Sequence, residues 1–205
     1  MSKRSRFSLV LALGALICLP RMALANVVNF DDLPTPYDQG SAFWGTVPTD
    51  YLGYTWTGDW EIQENNSFKS VYNNNGDFPS LHNAAYNDSG AALMAISFPN
   101  AITVSDAYFR SWSQNDQFQP FSATSVTLKG YDGATVVDTL VVALSATEMI
   151  HTAIDFAGID KIEFITNSDK WWLMDNMNVV PIPGGLWLLG SGLVALIGIR
   201  RRIDR

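Results

Sequence analysis

Cysteine is almost missing from these 205 residues: Cys18 is the sole one, and it lies in an apolar run near the N-terminus. Histidine occurs twice, as His82 and His151, in unrelated surroundings. That scarcity removes disulfides, thiol catalysis and cysteine-held metals, and neither histidine sits in a nucleophile-elbow or zinc-protease helix pattern. Positive charge is scarce as well. Between residues 26 and 180 only Lys69, Arg110, Lys129, Lys161 and Lys170 oppose nineteen acids, a net charge of −14 against −7 for the whole chain. Nucleic acid is thereby disfavoured as a partner, because phosphate binding needs a basic footprint. No window carries a convincing amphipathic helix. No acidic stretch has the spacing of an EF-hand loop.

The other cations sit at the two ends. Lys3, Arg4 and Arg6 precede an apolar run over residues 7–19, and Ala23-Leu24-Ala25 has the small-x-small pattern that signal peptidase accepts. These are the parts of an export signal, so residues 1–25 are expected to be removed by signal peptidase and the export machinery, between Ala25 and Asn26. Thirteen residues followed by Pro20 and Arg21 are too few to span a bilayer comfortably. Toward the other end, residues 182–199 carry no charge, and as a helix they reach roughly 27 Å, enough to cross a membrane. Arg200, Arg201 and Arg202 follow directly. Arginines flanking a span stay in the cytoplasm, which places residues 26–180 outside it.

The motif Pro181-Ile182-Pro183, the run Gly184-Gly185-Leu186-Trp187-Leu188-Leu189-Gly190-Ser191-Gly192-Leu193 and the three arginines form a tail over residues 181–205. This tail resembles the PEP-CTERM sorting signal of exopolysaccharide-producing Gram-negative bacteria. The resemblance implies a membrane-tethered precursor, recognition by the protease-transpeptidase exosortase, and delivery to the cell envelope, cell surface or extracellular matrix. Ile182 stands where the name-giving motif has Glu, a Val-Pro-x-Pro variant that leaves the subtype of the processing enzyme open. Gly184-Gly185 keeps a second reading in view, a glycine-glycine tail handled by rhomboid-type proteases.

Residues 26–180 are the size of one domain with its own core. Runs rich in Val, Ile, Thr and aromatic residues fall at 27–30, 59–63, 91–98, 103–112, 125–131, 135–144, 151–156, 161–166 and 171–179, separated by Gly, Asn, Asp and Pro. Strands of this length and spacing predict an all-β fold, an antiparallel β-sandwich of the jelly-roll kind. Asp132-Gly133-Ala134 is expected as a hairpin turn, and the Asn-rich stretch 65–89 as a long loop. The phrases Asn29-Phe30-Asp31-Asp32-Leu33, Phe156-Ala157-Gly158-Ile159-Asp160-Lys161-Ile162-Glu163-Phe164 and Met174-Asp175-Asn176-Met177-Asn178-Val179 resemble the first and last strands of carbohydrate-binding-module-like jelly rolls found in many PEP-CTERM ectodomains.

Aromatic rings are abundant, and a flat ring beside polar neighbours suits the C–H face of a sugar. Tyr54, Trp56, Trp60, Trp112 and Trp172 are the glycan-contact candidates; the competing reading is core packing, which sandwiches ask of tryptophan. Trp171 and Trp172, being adjacent on a strand, must point to opposite faces. Asp31, Asp32 and Asp175 are the metal candidates, because paired first and last strands would gather oxygen ligands suited to a structural Ca²⁺; capping of a turn after the first strand is the alternative. The expectation is an exported, non-catalytic surface or exopolysaccharide-matrix protein that binds glycan. The alternatives are an extracellular polysaccharide hydrolase using paired carboxylates, or a structural matrix protein without ligand.

Overall fold

The computed structural model describes residues 25–34, 44–72, 74–113 and 117–182. The apolar export run, Ala23 of the cleavage motif and the tail from Pro183 through Gly184 to Arg200, Arg201 and Arg202 lie outside the described residues. Among the described residues no helix is long and apolar enough to cross a membrane. Residues 25–181 pack as one unit.

Along that unit run β1 (Asn26–Val28), β2 (Trp44–Thr46), β3 (Thr55–Thr57), β4 (Trp60–Glu64), α1 (Asn65–Val71), β5 (Asn83–Asn87), β6 (Leu93–Ser111), β7 (Ser125–Asp132), β8 (Thr135–Ala143), β9 (Ile150–Ile165) and β10 (Trp172–Pro181). The strands pair antiparallel in the order β2-β4-β5-β10-β6-β9-β7-β8, with β1 added to β10 and β3 to β6. The result is a jelly-roll β-sandwich. Two long strands join its layers. The start of β6 pairs with β3 and with the end of β9 (Leu93↔Ile165), whereas its later part pairs with β10 and the start of β9 (Phe109↔Ile150). The turn at Gly133 is a tight hairpin, with Asp132 opposite Thr135 and Gly133 at φ +58°.

Windows that the sequence separates are continuous in space. Residues 91–98 and 103–112 are one strand, β6, because Pro99 falls in the irregular span between Ser97 and Ile102 where the register shifts, the kind of place a strand tolerates proline. Strand β10 needs a similar device. Trp172, Met174, Met177 and Val179 all join the central core, yet the three-residue step from Met174 to Met177 would turn the second pair outward in an unbroken strand. A bulge between Asp175 and Asn178, with Asn176 at φ +47°, restores the phase.

The Asn-rich stretch is a correction, since it holds α1 and β5 rather than a loop alone. The Glu64 carboxylate caps α1 by accepting from the backbone N–H groups of Asn66 (2.9 Å) and Ser67 (2.7 Å), and Phe68 anchors the helix as a fully buried ring. All five residues of β5 are buried because both of its faces are covered. Ala85 faces the core between the layers, while Ala84 and Tyr86 face a second apolar cluster with Phe68, Phe78, Trp112 and Leu173.

Four of the expected sugar-facing rings are also corrected. Tyr54 (8% exposed), Trp56 (3%), Trp60 (2%) and Trp172 (0%) belong to the central core, where no face remains for a sugar. Trp60 packs edge-on against Trp56, Phe164 and Trp172 at centroid distances of 5.2, 5.5 and 5.8 Å, and its indole N–H donates to the Thr57 carbonyl. Trp60→Ala is expected to cost about 3–5 kcal/mol of stability, read as a lowered midpoint in chemical denaturation. A cost below about 0.5 kcal/mol, as for a surface site, would contradict this placement.

Candidate functional site

The outer face of the layer β2-β4-β5-β10-β6 is built by cross-strand register. Thr46, Glu61, Tyr86, Leu173 and Arg110 are successive register partners across those five strands, so their side chains share one face. Leu173 and Tyr86 are apolar seats there, and α1 with the loop after β6 closes over part of them. What stays open is a hollow of roughly 380 Å³ lined by Trp44, Tyr72, Tyr86, Asp88, Trp112, Phe118, Phe121 and Trp171. Seven of its eight side chains are aromatic.

The rings arrive from several elements and the loop after β6. Trp44 opens β2, Tyr72 follows α1, Tyr86 lies in β5, Trp112 follows β6, and Trp171 precedes β10. Trp112 is packed edge-on by Tyr72 (5.1 Å) and tilted against Tyr86 (4.9 Å). Phe118 stands edge-on to Tyr72 at 5.3 Å, and Phe121 edge-on to Trp171 at 5.4 Å. Trp44 and Phe121 are each 44% exposed, so part of this aromatic wall meets water.

A polar clamp sets the position of Trp171 relative to Asp88. The buried Asn87 donates to the carbonyls of Ala91 (2.9 Å) and Lys170 (2.8 Å), and its Oδ1 accepts from the Trp172 N–H (2.9 Å). Backbone bonds from Ala123 to the Trp171 carbonyl and from Trp171 to the Phe121 carbonyl hold the other side. Gly90 is needed beside them: it adopts φ +62°, and a Cβ there would lie 2.6 Å from the Asp169 Cα.

Negative charge collects behind the rings. The Tyr86 hydroxyl donates to Glu61. Burial pushes the Glu61 carboxyl up, against the pull of that bond, and the charges of Asp88 and Asp59 push it further. Burial, then the Asp88 and Glu61 carboxylates, likewise raise the Tyr72 phenol. The nearby cation is isolated from this charge. Arg110 is fully buried, lies 5.0 Å over the Phe68 ring, donates to the Asn75 and Ala146 carbonyls, and is pulled down to about 10 by desolvation.

Among the expected sugar-contact residues, Trp112 alone lines this hollow. Trp44 and Trp171, aromatic residues outside that set of five, line it too; of the adjacent pair, Trp171 faces outward and Trp172 inward. The sequence signal was the adjacency itself, which requires opposite faces but does not say which. A second hollow, of about 220 Å³, is lined by Ser122, Ala123, Thr124, Ser125, Thr127, Ile165, Thr166, Asn167 and Lys170. It offers hydroxyls and an amine but no ring.

The three expected metal ligands do not converge, and among the described residues no three acidic, histidine or cysteine side chains group as a metal site. Phe30, at φ +62°, starts a turn closed by the Leu33 N–H on its carbonyl. Asp32 leaves that turn toward the Tyr51 hydroxyl, 2.6 Å away, and so departs from the expected set. Asp31 accepts from the Asn83 N–H (3.1 Å), while Asp175 accepts from the N–H groups of Ser80 (2.9 Å) and Asn176 (2.7 Å). Asn83 donates to the Phe30 and Leu33 carbonyls, leaving its buried Oδ1 without a hydrogen-bond partner. The 80–83 segment thus joins two carboxylates and an orphaned amide oxygen.

No family model matches the chain, and no curated protein matches it in sequence. Solved structures similar to it include a Streptococcus pneumoniae fucose binding module (12% identity, 76% of this chain and 96% of that chain, TM-score 0.39). Others are the CBM22-1 xylan-binding domain from Paenibacillus barcinonensis Xyn10C (10%, 80% and 96%, TM-score 0.37) and an F5/8 type C domain from Bacteroides fragilis (9%, 70% and 99%, TM-score 0.36). At these identities and scores the likenesses carry no ligand to this chain; its fold is established by its own strand pairing.

Asp175 is fully buried, and burial pushes its carboxyl from 3.8 up to about 7, against the pull of its hydrogen bonds. A folded-state value above the unfolded one means that the folded chain holds this proton after the unfolded chain has released it. Its stabilising contribution is therefore complete below pH 3.8, is lost as the pH rises toward about 7, and stays lost above that. In the presence of a chelator, the stability difference between the protein and Asp175→Asn should fall across that window, measured by denaturation midpoints. A pH-independent difference would show that Asp175 is ionised throughout.

Proposed function

We propose that this protein is an exported, non-catalytic glycan-binding β-sandwich that its tail directs to the cell surface or the exopolysaccharide matrix. The observation that carries the binding role is the open aromatic hollow. Its rings offer apolar faces to the C–H groups of a saccharide, and its walls carry the Asp88 carboxylate and the Tyr72 hydroxyl for sugar hydroxyls. Export, signal peptidase cleavage and processing by an exosortase-type protease rest on the terminal motifs, above all Pro181-Ile182-Pro183 and the three arginines.

The binding role is favoured over a hydrolase by the same wall. Glycoside hydrolysis in its usual form needs two carboxyl groups flanking the bond, and Asp88 is the only acid lining the hollow among the described residues. Glu61 stands behind, bonded by Tyr86.

A structural calcium ion is the second proposal, supported by Asp31, Asp175 and the unpartnered Oδ1 of Asn83, an all-oxygen set of the type Ca²⁺ takes. Millimolar Ca²⁺ at mildly alkaline pH, where Asp175 is ionised, should raise the thermal midpoint; an unchanged midpoint removes the ion from the account.

Binding itself is tested with Trp171→Ala. Affinity for the producing cell's own polysaccharide, measured by calorimetry or affinity electrophoresis, should fall about tenfold, or ~1.4 kcal/mol, with little change in thermal midpoint because the ring is only half-buried. Undiminished affinity would remove the hollow as the binding site, and release of reducing ends would replace binding by hydrolysis.

A further inference from the structure

The charge around the hollow is one-sided, and that selects among saccharides. Among the described residues Asp88 is the only acidic or basic side chain lining the hollow, and the other walls are aromatic, whose ring faces are themselves electron-rich. The domain's few cations are engaged elsewhere, Lys129 as the cross-strand partner of Glu163. Lys69 pairs with Asp77, and Lys161 with Glu163. Arg110 is held by backbone carbonyls, and Lys170 lines the polar hollow while donating to the Pro120 carbonyl. Glu61, the register partner of Tyr86, adds a second carboxylate behind the first.

A neutral sugar would use this carboxylate as one more hydrogen-bond acceptor. A protonated amine gains a charge-assisted bond to it together with the attraction of a cation for ring faces. An acetylated amine keeps the sugar's shape but brings no charge. An anionic sugar would meet repulsion from Asp88 and Glu61.

Resting on the glycan-binding reading above, we propose that the aromatic hollow takes an amino sugar whose nitrogen is unacetylated and protonated, with Asp88 as the residue that selects it.

The test compares three tetrasaccharides of one linkage and length in mildly acidic, low-salt buffer: β-1,4-linked glucosamine, its fully N-acetylated form, and the corresponding glucose oligomer. The glucosamine oligomer should bind the full protein about tenfold more tightly than either neutral one, and the preference should shrink with added salt. Asp88→Asn should erase the preference, bringing the affinity for the glucosamine oligomer down to that for the neutral ones, and Asp88→Glu should restore part of it. Among the described residues the Asp88 side chain accepts only the neighbouring Ser89 hydroxyl, so both variants should keep the parent's thermal midpoint. Equal affinity for all three oligomers overturns the inference and leaves the glycan-binding reading standing. A preference that survives in Asp88→Asn also overturns it, by locating the selecting charge elsewhere. Binding of none of the three overturns the inference as well, while the glycan-binding reading stands or falls with the producing cell's own polysaccharide.

Discussion

One layer of this sandwich is apolar on both of its faces, and the rest of the structure follows from that constraint. In β10, Trp172 and Met174 point into the core between the layers while Leu173, between them, points out. In β5, Ala85 points in while Ala84 and Tyr86 point out. A sheet exposed to water on its outer face would alternate apolar and polar residues. Here the outer face must be roofed instead, and α1 with Tyr72, Phe78 and the loop at residues 117–122 provides the roof. The aromatic hollow is the part of that face where the roof stops.

Keeping two apolar faces in phase along long strands requires irregularities at definite places. The bulge at Asp175–Asn178 in β10 returns Met177 and Val179 to the core. The same bulge sets the fully buried Asp175 on its backbone donors, next to the turn that carries Asp31. The register shift between Val104 and Asp106 in β6 brings Ala107 and Phe109 into the core and leaves Arg110 facing out, over Phe68. Among the described residues no acid pairs with this buried guanidinium, which is costly. Two backbone carbonyls and a ring face offset part of that cost, and leave the carboxylates of Glu61 and Asp88 free of its charge.

The polar groups of the site are therefore placed by packing that has other ends. Asn87 satisfies three backbone groups on two segments, at Ala91 and at Lys170–Trp172, and in doing so sets Trp171 beside the Asp88 turn. Tyr86 fills the second apolar cluster and also holds Glu61. Rings buried at one edge and wet at the other, with carboxylates behind them, form a surface suited to a ligand that is apolar on its faces and polar or cationic at its rim.

The sequence by itself determined the class of fold, because runs of alternating Val, Ile, Thr and aromatic residues between turn-forming clusters have few other outcomes. It also determined the acidity of the domain and the hairpin at Gly133, where local chemistry suffices. Three strands went undetected: β2 and β3 are three residues each, too short to show a period, and β5, Asn83–Asn87, is buried through partners distant in the chain, flanked by β4 and β10 and covered by Phe68. Which tryptophans meet solvent was decided by tertiary structure alone. Trp171 and Trp172 have the same side chain and adjacent positions, and only the pairing of β10 with β6 and β5 turns one inward and the other toward the hollow. Likewise Asp31 and Asp32 are neighbours in the chain, but the positive φ of Phe30 and the reach of Tyr51 send them to different partners, which residue types and spacing do not encode.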